Sequence, residues 1–362
     1  LPPLELYALR ASADLLNNVT ESRFTAMSLE YNPHYGGIYA IPAHFYVITR
    51  RYREAIDMYQ RAVDIEPTLA SAHEELGINL LRDNQVSRAR RHLEIAYSED
   101  PFSPQAVNTL RLLDSFDNFS LVHDPDHPQP GILPITLRLH DDEAAAIAPY
   151  AIKLTRDSID VFTERYGFTL QEPVIVEMYP DHEDFAVRTA GMPGLGILGA
   201  TFGYVVAMDS PSARPTSQFQ WGTTLWHEMA HVFTLEATNH LVPRWFSEGV
   251  SVFEEWQSGP TPGVRIPMSV YGAMSDDKFL PIAELDEGFI RPTYEEQVIV
   301  SYMQAGLVCQ FINDEFGEHK LRELLTAFGD GLDTDEAISR VFRQSPADFD
   351  DAFDAFVTRE HG

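Results

Sequence analysis

His227 and His231 stand four residues apart in the stretch His227-Glu228-Met229-Ala230-His231. A helix of 3.6 residues per turn sends positions i and i+4 out of one face, so this spacing asks for a helix. The run from Gln218 to Leu235 contains no proline. It carries Trp221, Leu225, Trp226, Met229, Ala230, Val232 and Phe233, a composition suited to a buried helix. Asn239 and Pro243 then break the chain, and a second helical run begins near Arg244. That run sets Glu248 and Glu255 seven residues apart on one face, with Ser251 between them. The chain is therefore expected to bring two helices together around a polar point in an apolar setting.

Such a point suits a metal. Two imidazoles on one helix face can grip a single ion, and catalytic zinc takes three protein ligands while keeping a position for water. Glu248 is the candidate third ligand, giving His227, His231 and Glu248 around Zn²⁺. Glu228, one step round from His227, falls beside the ion, where a general base for water belongs. Glu255 can reach back as the acceptor of a histidine N–H. The bland alternative is two ordinary helices with satisfied core histidines. The joint occurrence of base, both histidines and downstream glutamate favours the metal site.

His-Glu-x-x-His, sixteen further residues and then Glu248-Gly249 resembles the gluzincins, the thermolysin-like metallopeptidases of the peptidase MA clan. Pro243-Arg244-Trp245-Phe246-Ser247-Glu248-Gly249 is similar to the Trp-x-x-Glu-Gly segment that supplies their third ligand. The chain also resembles bacterial proteins that join tetratricopeptide repeats to a peptidase-MA-like domain. That likeness extends upstream through Val174-Ile175-Val176-Glu177, Phe185-Ala186-Val187-Arg188-Thr189 and Phe202-Gly203-Tyr204-Val205-Val206-Ala207-Met208. The resemblance implies that His227, His231 and Glu248 bind zinc and that Glu228 is the catalytic base. It also implies that the strand at Phe202–Met208 is the sheet edge along which an extended substrate pairs. The sixteen-residue gap is shorter than in the thermolysin-like enzymes, so their substrate pockets do not carry over.

Composition bounds the partners. The net charge of -29 argues against nucleic acid or an anionic membrane surface as a partner. Lysine is confined to Lys153, Lys278 and Lys320, which fits either a salt-loving source or a GC-rich genome. No apolar run approaches the roughly eighteen residues that span a bilayer. The opening segment begins with Leu1 and lacks a basic region followed by an apolar core. It therefore reads as part of a longer protein whose signal peptide is absent or removed. The family likeness points to the bacterial cell envelope or secretion. Cys309 lies in an apolar run and reads as a buried structural thiol.

A 34-residue period marks the first third. Ala55, Tyr59, Ala62 and Pro67 recur as Ala89, Leu93, Ala96 and Pro101, with Leu76, Gly77 and Leu80 at further pattern positions. This resembles the tetratricopeptide repeat, in which small residues sit where paired helices cross. Tyr39 and Tyr46 fit an earlier unit, with Pro42 and Ala43 in place of Leu-Gly, and residues 108–113 open a further unit or form a capping helix. Such repeats bind a partner protein or brace the enzyme, and both roles stand.

The expected architecture is an all-α tetratricopeptide-like repeat over residues 1–122 followed by an α+β zincin-like metallopeptidase domain over 132–362. The polar, Pro-rich stretch 114–131 reads as a linker, with His123 and His127 as solvated loop histidines. Strands are expected at 132–139 and 174–179. Helices are expected at 142–166, ending at Gly167, and from Pro180. Gly191 to Gly196 lacks the Lys-Ser/Thr of a phosphate loop and reads as a mobile loop. Gly- and Pro-rich loops should run to about Pro292, followed by helices at 294–316, 318–327, 333–342 and 346–358. Phe349, Phe353 and Phe356 have core spacing.

The reaction expected is metal-assisted hydrolysis of a peptide bond in a peptide or protein substrate. A second donor to the developing oxyanion is needed. Tyr302, in a Tyr-x-Gln-Ala context like that of the resembled family, is the first candidate, with Tyr294 and Tyr271 behind it. A packing role for Tyr302 is equally open. Two other functions are compatible with the sequence: a repeat scaffold with a vestigial peptidase domain, and a zinc hydrolase of a non-peptide amide or ester.

Overall fold

The computed structural model describes residues 3–361 apart from 18, 20, 125–132, 195, 216–218, 259–261, 265 and 277. By packing, the chain divides into two compact units. One comprises Leu1–Leu121, Arg138–Ala144 and Val176–Arg214; the other comprises Val122–Leu137, Ala145–Ile175 and Pro215–Gly362. A set of helices opens the first unit: α1 (Leu4–Leu16), α2 (Arg23–Tyr31), α3 (Gly37–Ile48), α4 (Tyr52–Ile65), α5 (Ala70–Arg82), α6 (Val86–Glu99) and α7 (Pro104–Ser115).

These helices pack in sequence as hairpins, and the periodic small residues explain how. Ala55, Ala62, Ala89 and Leu76 are fully buried, and Ala96 nearly so. A Cβ on Gly77 would stand 2.6 Å from Leu93 Cγ and 3.1 Å from the Ala89 carbonyl oxygen, so only glycine lets α5 meet α6 this closely. His73 and His92 join the same two helices through their Nδ1 atoms at 2.9 Å.

The strands are β1 (Phe119–His123), β2 (Ile135–His140), β3 (Val174–Tyr179), β4 (Gly199–Thr201) and β5 (Val205–Asp209), in the order β1-β2-β3-β5-β4. β4 and β5 are antiparallel, with Ala200 opposite Ala207. The five residues of β5 are all buried. This corrects one expectation: β5 lies inside the sheet, and β4 takes the edge position expected of Phe202–Met208. A second correction concerns the linker. Phe119–His123 is a strand whose Phe119 ring packs on His140 and Tyr179, and part of the expected loop, His127 included, lies outside the described residues.

Helix α8 (Asp141–Tyr166) ends at Gly167, whose φ of 65° relieves the left-handed turn. Helix α9 (His182–Ala190) starts at the Asp181 cap and ends at Gly191 with φ 71°. Inside the first unit, Glu177 of β3 is completely buried between two arginines. Its oxygens lie 3.1 Å from Arg138 Nε and 2.6 Å from Arg188 Nε, and Tyr179 donates to it at 3.0 Å. Burial alone would raise this carboxyl, but Arg188 and Arg138 hold it below its usual range. Arg188 also donates to the Leu81 carbonyl at 3.0 Å, tying α9 to α5.

The second unit carries α10 (Trp221–Ala237), α11 (Arg244–Gln257), α12 (Met268–Ser275), α13 (Glu287–Ile290), α14 (Gln297–Phe316), α15 (His319–Gly329), α16 (Thr334–Phe342) and α17 (Pro346–His361). The expected loop after Glu255 thus contains two helices, and α14 starts at Gln297, leaving Tyr294 before it. Phe349, Phe353 and Phe356 of α17 are buried against Phe311 of α14. The fully buried Glu254 takes Arg165 and the Tyr166 hydroxyl, which ties the end of α8 to α11.

Two glycines set the distance between α11 and α14. A Cβ on Gly249 would lie 2.5 Å from the Ala305 carbonyl oxygen, and one on Gly306 would lie 2.6 Å from Val252 Cγ1. Neither approach is open to a larger residue. The glycine after Glu248 therefore serves packing, and it brings the turn of α14 that holds Tyr302 alongside the start of α11.

Candidate metal centre

Helix α10 presents both histidines on one face. His231 Nε2 lies 3.1 Å from His227 Nε2 and 3.1 Å from Glu248 Oε2, and His227 Nε2 lies 3.7 Å from the same oxygen. His231 and Glu248 are buried, and His227 is partly so. Among the described residues, these three form the group whose ligand atoms all fall within 4.8 Å of one another.

The far sides of both rings are anchored. His227 Nδ1 is 2.5 Å from Glu255 Oε1, which fixes an N–H there and leaves Nε2 facing inward. His231 Nδ1 is 2.8 Å from Ser247 Oγ, which is 2.8 Å from Thr234 Oγ1. Thr234 donates its proton to the His231 carbonyl at 3.3 Å. Ser247 then gives its proton to Thr234 and accepts from His231 Nδ1–H. The circuit assigns the lone pair of His231 to Nε2.

Two imidazole lone pairs and a carboxylate oxygen thus face one another, an arrangement that calls for a cation. Ligands about 2.0–2.1 Å from a tetrahedral ion are roughly 3.3–3.4 Å apart. The separations of 3.1, 3.1 and 3.7 Å bracket that edge. Burial alone would lower the pKa of His227, but hydrogen bonds to Glu248 and Glu255 and the charges of Glu255 and Glu228 raise it well above its ordinary value. These carboxylates favour positive charge at this point, carried by a proton on the ring or by a cation in its place. The donor set therefore fits a divalent zinc ion.

Glu228 is buried on α10 beside His227. Its charge acts on His227 and on Tyr302. Burial first, then Glu248, push the Tyr302 hydroxyl up to about 12, with a hydrogen bond to Arg244 opposing them. The Tyr302 ring packs edge-on against Phe289 with centroids 5.1 Å apart. The Tyr294 ring lies 5.4 Å from Lys278 Nζ and packs on Val270, Ala273 and Val300, and Tyr271 is more than a third exposed.

Four residues at the site were not legible in the sequence. Ser247 and Thr234 orient His231. Arg244 Nε lies 3.4 Å from Glu248 Oε1 while its guanidinium sits 5.5 Å above the Phe289 ring, so Glu248 turns one oxygen to the imidazoles and the other to a cation. Asp286 caps α11 by accepting from Trp245 N at 2.6 Å and Arg244 N at 3.4 Å. The local cap position is Pro243, which has no side-chain acceptor, so the cap comes from more than forty residues downstream. Only the Trp-x-x-Glu-Gly context hinted that this helix start mattered. Cys309 is fully buried, and burial pushes its thiol well above the usual range.

Residues 211–359 match the family model of the Peptidase MA superfamily. No curated protein matches the chain. The matched stretch contains α10, α11 and α14, and hence every residue of the cluster and its supports described above. Among the described residues, no helix is long and apolar enough to cross a membrane.

Proposed function

We propose that this chain is a zinc-dependent peptidase of the gluzincin type, with zinc held by His227 Nε2, His231 Nε2 and Glu248 Oε2. The observation that carries the reading is the convergence of those three atoms while both Nδ1 atoms are engaged by Glu255 and Ser247. The similarity of residues 211–359 to the Peptidase MA superfamily supports peptide as the substrate class. When bound, zinc supplies Lewis acidity, acidifying a water and polarising the scissile carbonyl.

The protein's own groups do the rest. Glu228 takes the proton of the attacking water on its carboxylate and delivers it to the leaving amine nitrogen. The Tyr302 hydroxyl, kept protonated by its burial and by Glu248, donates to the oxyanion. Arg244 orients Glu248 and Tyr302 together. Glu255 and Ser247 keep both imidazoles in the tautomer that a metal requires.

The same reading makes α3 to α6 tetratricopeptide units, supported by the burial of Ala55, Tyr59, Ala62, Ala89, Leu93 and Ala96 at the 34-residue period. They serve a partner protein or brace the enzyme, in the bacterial cell envelope or after secretion. The test is incubation of zinc-loaded protein with a peptide library and mass-spectrometric detection of products. Discrete cleavages that vanish in Glu228→Gln support the proposal. Cleavage undiminished in that variant contradicts it.

A further inference from the structure

The proposed hydrolysis leaves a cavity in the first unit unused. Helices α1, α3, α4 and α5 line a space of about 380 Å³. Leu9, Ile41, Phe45 and Ala72 supply an apolar wall, interrupted by Tyr59, Glu75 and the more exposed His44 and Ser71. A cavity of a few hundred Å³ with an apolar lining and a few convergent polar groups suits a small apolar body with a polar end.

The polar groups define that end. Glu74 is committed elsewhere: it accepts from the Ala106 N–H at 3.2 Å and from the Ser103 hydroxyl at the start of α7. Glu75 has no such use. Among the described residues, its carboxylate makes no hydrogen bond or ion pair, and neither does the Tyr59 hydroxyl. The charge of Arg82 reaches Glu75, but that guanidinium donates instead to Asn79 Oδ1 and the Thr189 carbonyl, each at 3.0 Å. Burial therefore pushes the Glu75 carboxyl above its usual range, with Arg82 and His44 only partly offsetting it. Glu75 is only partly covered, so water meets its charge until a cation pairs with it against the apolar wall. Even with the His44 imidazole, one carboxylate and one phenol do not make a metal site: among the described residues no group of three His, Cys, Asp or Glu ligands converges here, and calcium calls for six or more oxygens. An anionic ligand would be repelled.

We propose that this cavity binds a primary ammonium carried on an apolar body. Glu75 pairs with the charge, the Tyr59 oxygen accepts a second N–H, and Leu9, Ile41 and Phe45 cover the body. A free apolar amine and a peptide lysine flanked by apolar residues offer the same chemistry.

Calorimetric titration of the intact chain distinguishes them. Phenethylamine and acetyl-Leu-Lys-Leu-amide are the cationic probes, with 2-phenylethanol and acetyl-Leu-norleucine-Leu-amide as neutral counterparts. At least one cationic probe should bind, with its neutral counterpart weaker by about ten-fold or more. Glu75→Gln should lose a similar factor, and Tyr59→Phe a smaller one. Binding of the amine alone assigns a free ligand, and binding of the peptide assigns a lysine side chain. No heat from either cationic probe at millimolar concentration, equal binding of the neutral counterparts, or undiminished binding by Glu75→Gln overturns the proposal. The comparison with neutral probes needs no variant, so it decides the matter even if Glu75→Gln does not fold.

Discussion

Ser247 Oγ lies 2.8 Å from His231 Nδ1, while Glu248, the next residue, lies 3.1 Å from Nε2 of the same ring. Adjacent positions of α11 thus hold both ends of one imidazole. The first fixes its tautomer and the second shares its lone-pair side. Ser247→Ala removes the acceptor and strands a buried N–H. Zinc affinity, read by competition with a chromophoric chelator, should fall about 10–100-fold. Glu255→Ala should act similarly through His227, and unchanged affinity in both would refute the orienting role.

Glu228→Gln should keep the metal and lower turnover by about 10²–10⁴-fold, the usual worth of a positioned general base. Metal content by mass spectrometry and peptide cleavage check the two halves separately. Loss of zinc in this variant would make Glu228 a ligand instead.

Tyr302→Phe should cost about 10²–10³-fold in kcat with little change in KM if its hydroxyl serves the oxyanion. Because the hydroxyl titrates only near about 12, the wild type to variant ratio should stay constant between roughly pH 6 and 9. A ratio near one at every pH would leave Tyr302 as a packing residue against Phe289.

The motif was legible where chemistry follows from spacing. His227, His231, Glu228 and Glu248 could be placed because a helical period and a breaker at Pro243 define two faces. The outward reach of Glu255 was readable for the same reason. Ser247, Thr234, Arg244 and Asp286 were not, because hydroxyl circuits and caps contributed by another segment depend on tertiary contacts. The edge strand failed differently. The β-rich run at 202–208 predicts a strand, but Gly199–Thr201 is short and weakly patterned, and it took the outer position. Likewise Phe119–His123 is a strand of mixed exposure beside a Pro-rich stretch, so it read as linker.

Glu177 and Arg188 lie in two separate stretches of the upstream likeness, and tertiary packing pairs them wholly buried. Glu177→Gln leaves two arginines without a buried counter-charge and should destabilise the first unit by about 3–5 kcal/mol in chemical denaturation. The folded carboxyl is held below its unfolded value, so its contribution is present above the unfolded pKa and disappears as pH falls through the folded one. The variant should therefore lose less stability than the wild type on acidification below about pH 4.5. Equal acid sensitivity would remove Glu177 from the account.

Gly249→Ala drives a methyl into the Ala305 carbonyl oxygen and should cost about 1–3 kcal/mol while shifting Tyr302 away from Glu248. Melting temperature and zinc affinity should fall together. A variant as stable and as metal-avid as the wild type would show that α11 and α14 can separate freely.

The most direct test is an anomalous-scattering map collected at the zinc absorption edge from crystals of the zinc-loaded protein. The account predicts one strong peak bounded by His227 Nε2, His231 Nε2 and Glu248 Oε2, absent from crystals of His231→Ala. A peak elsewhere, or none after zinc loading, would contradict the metal centre and the peptidase reading built on it.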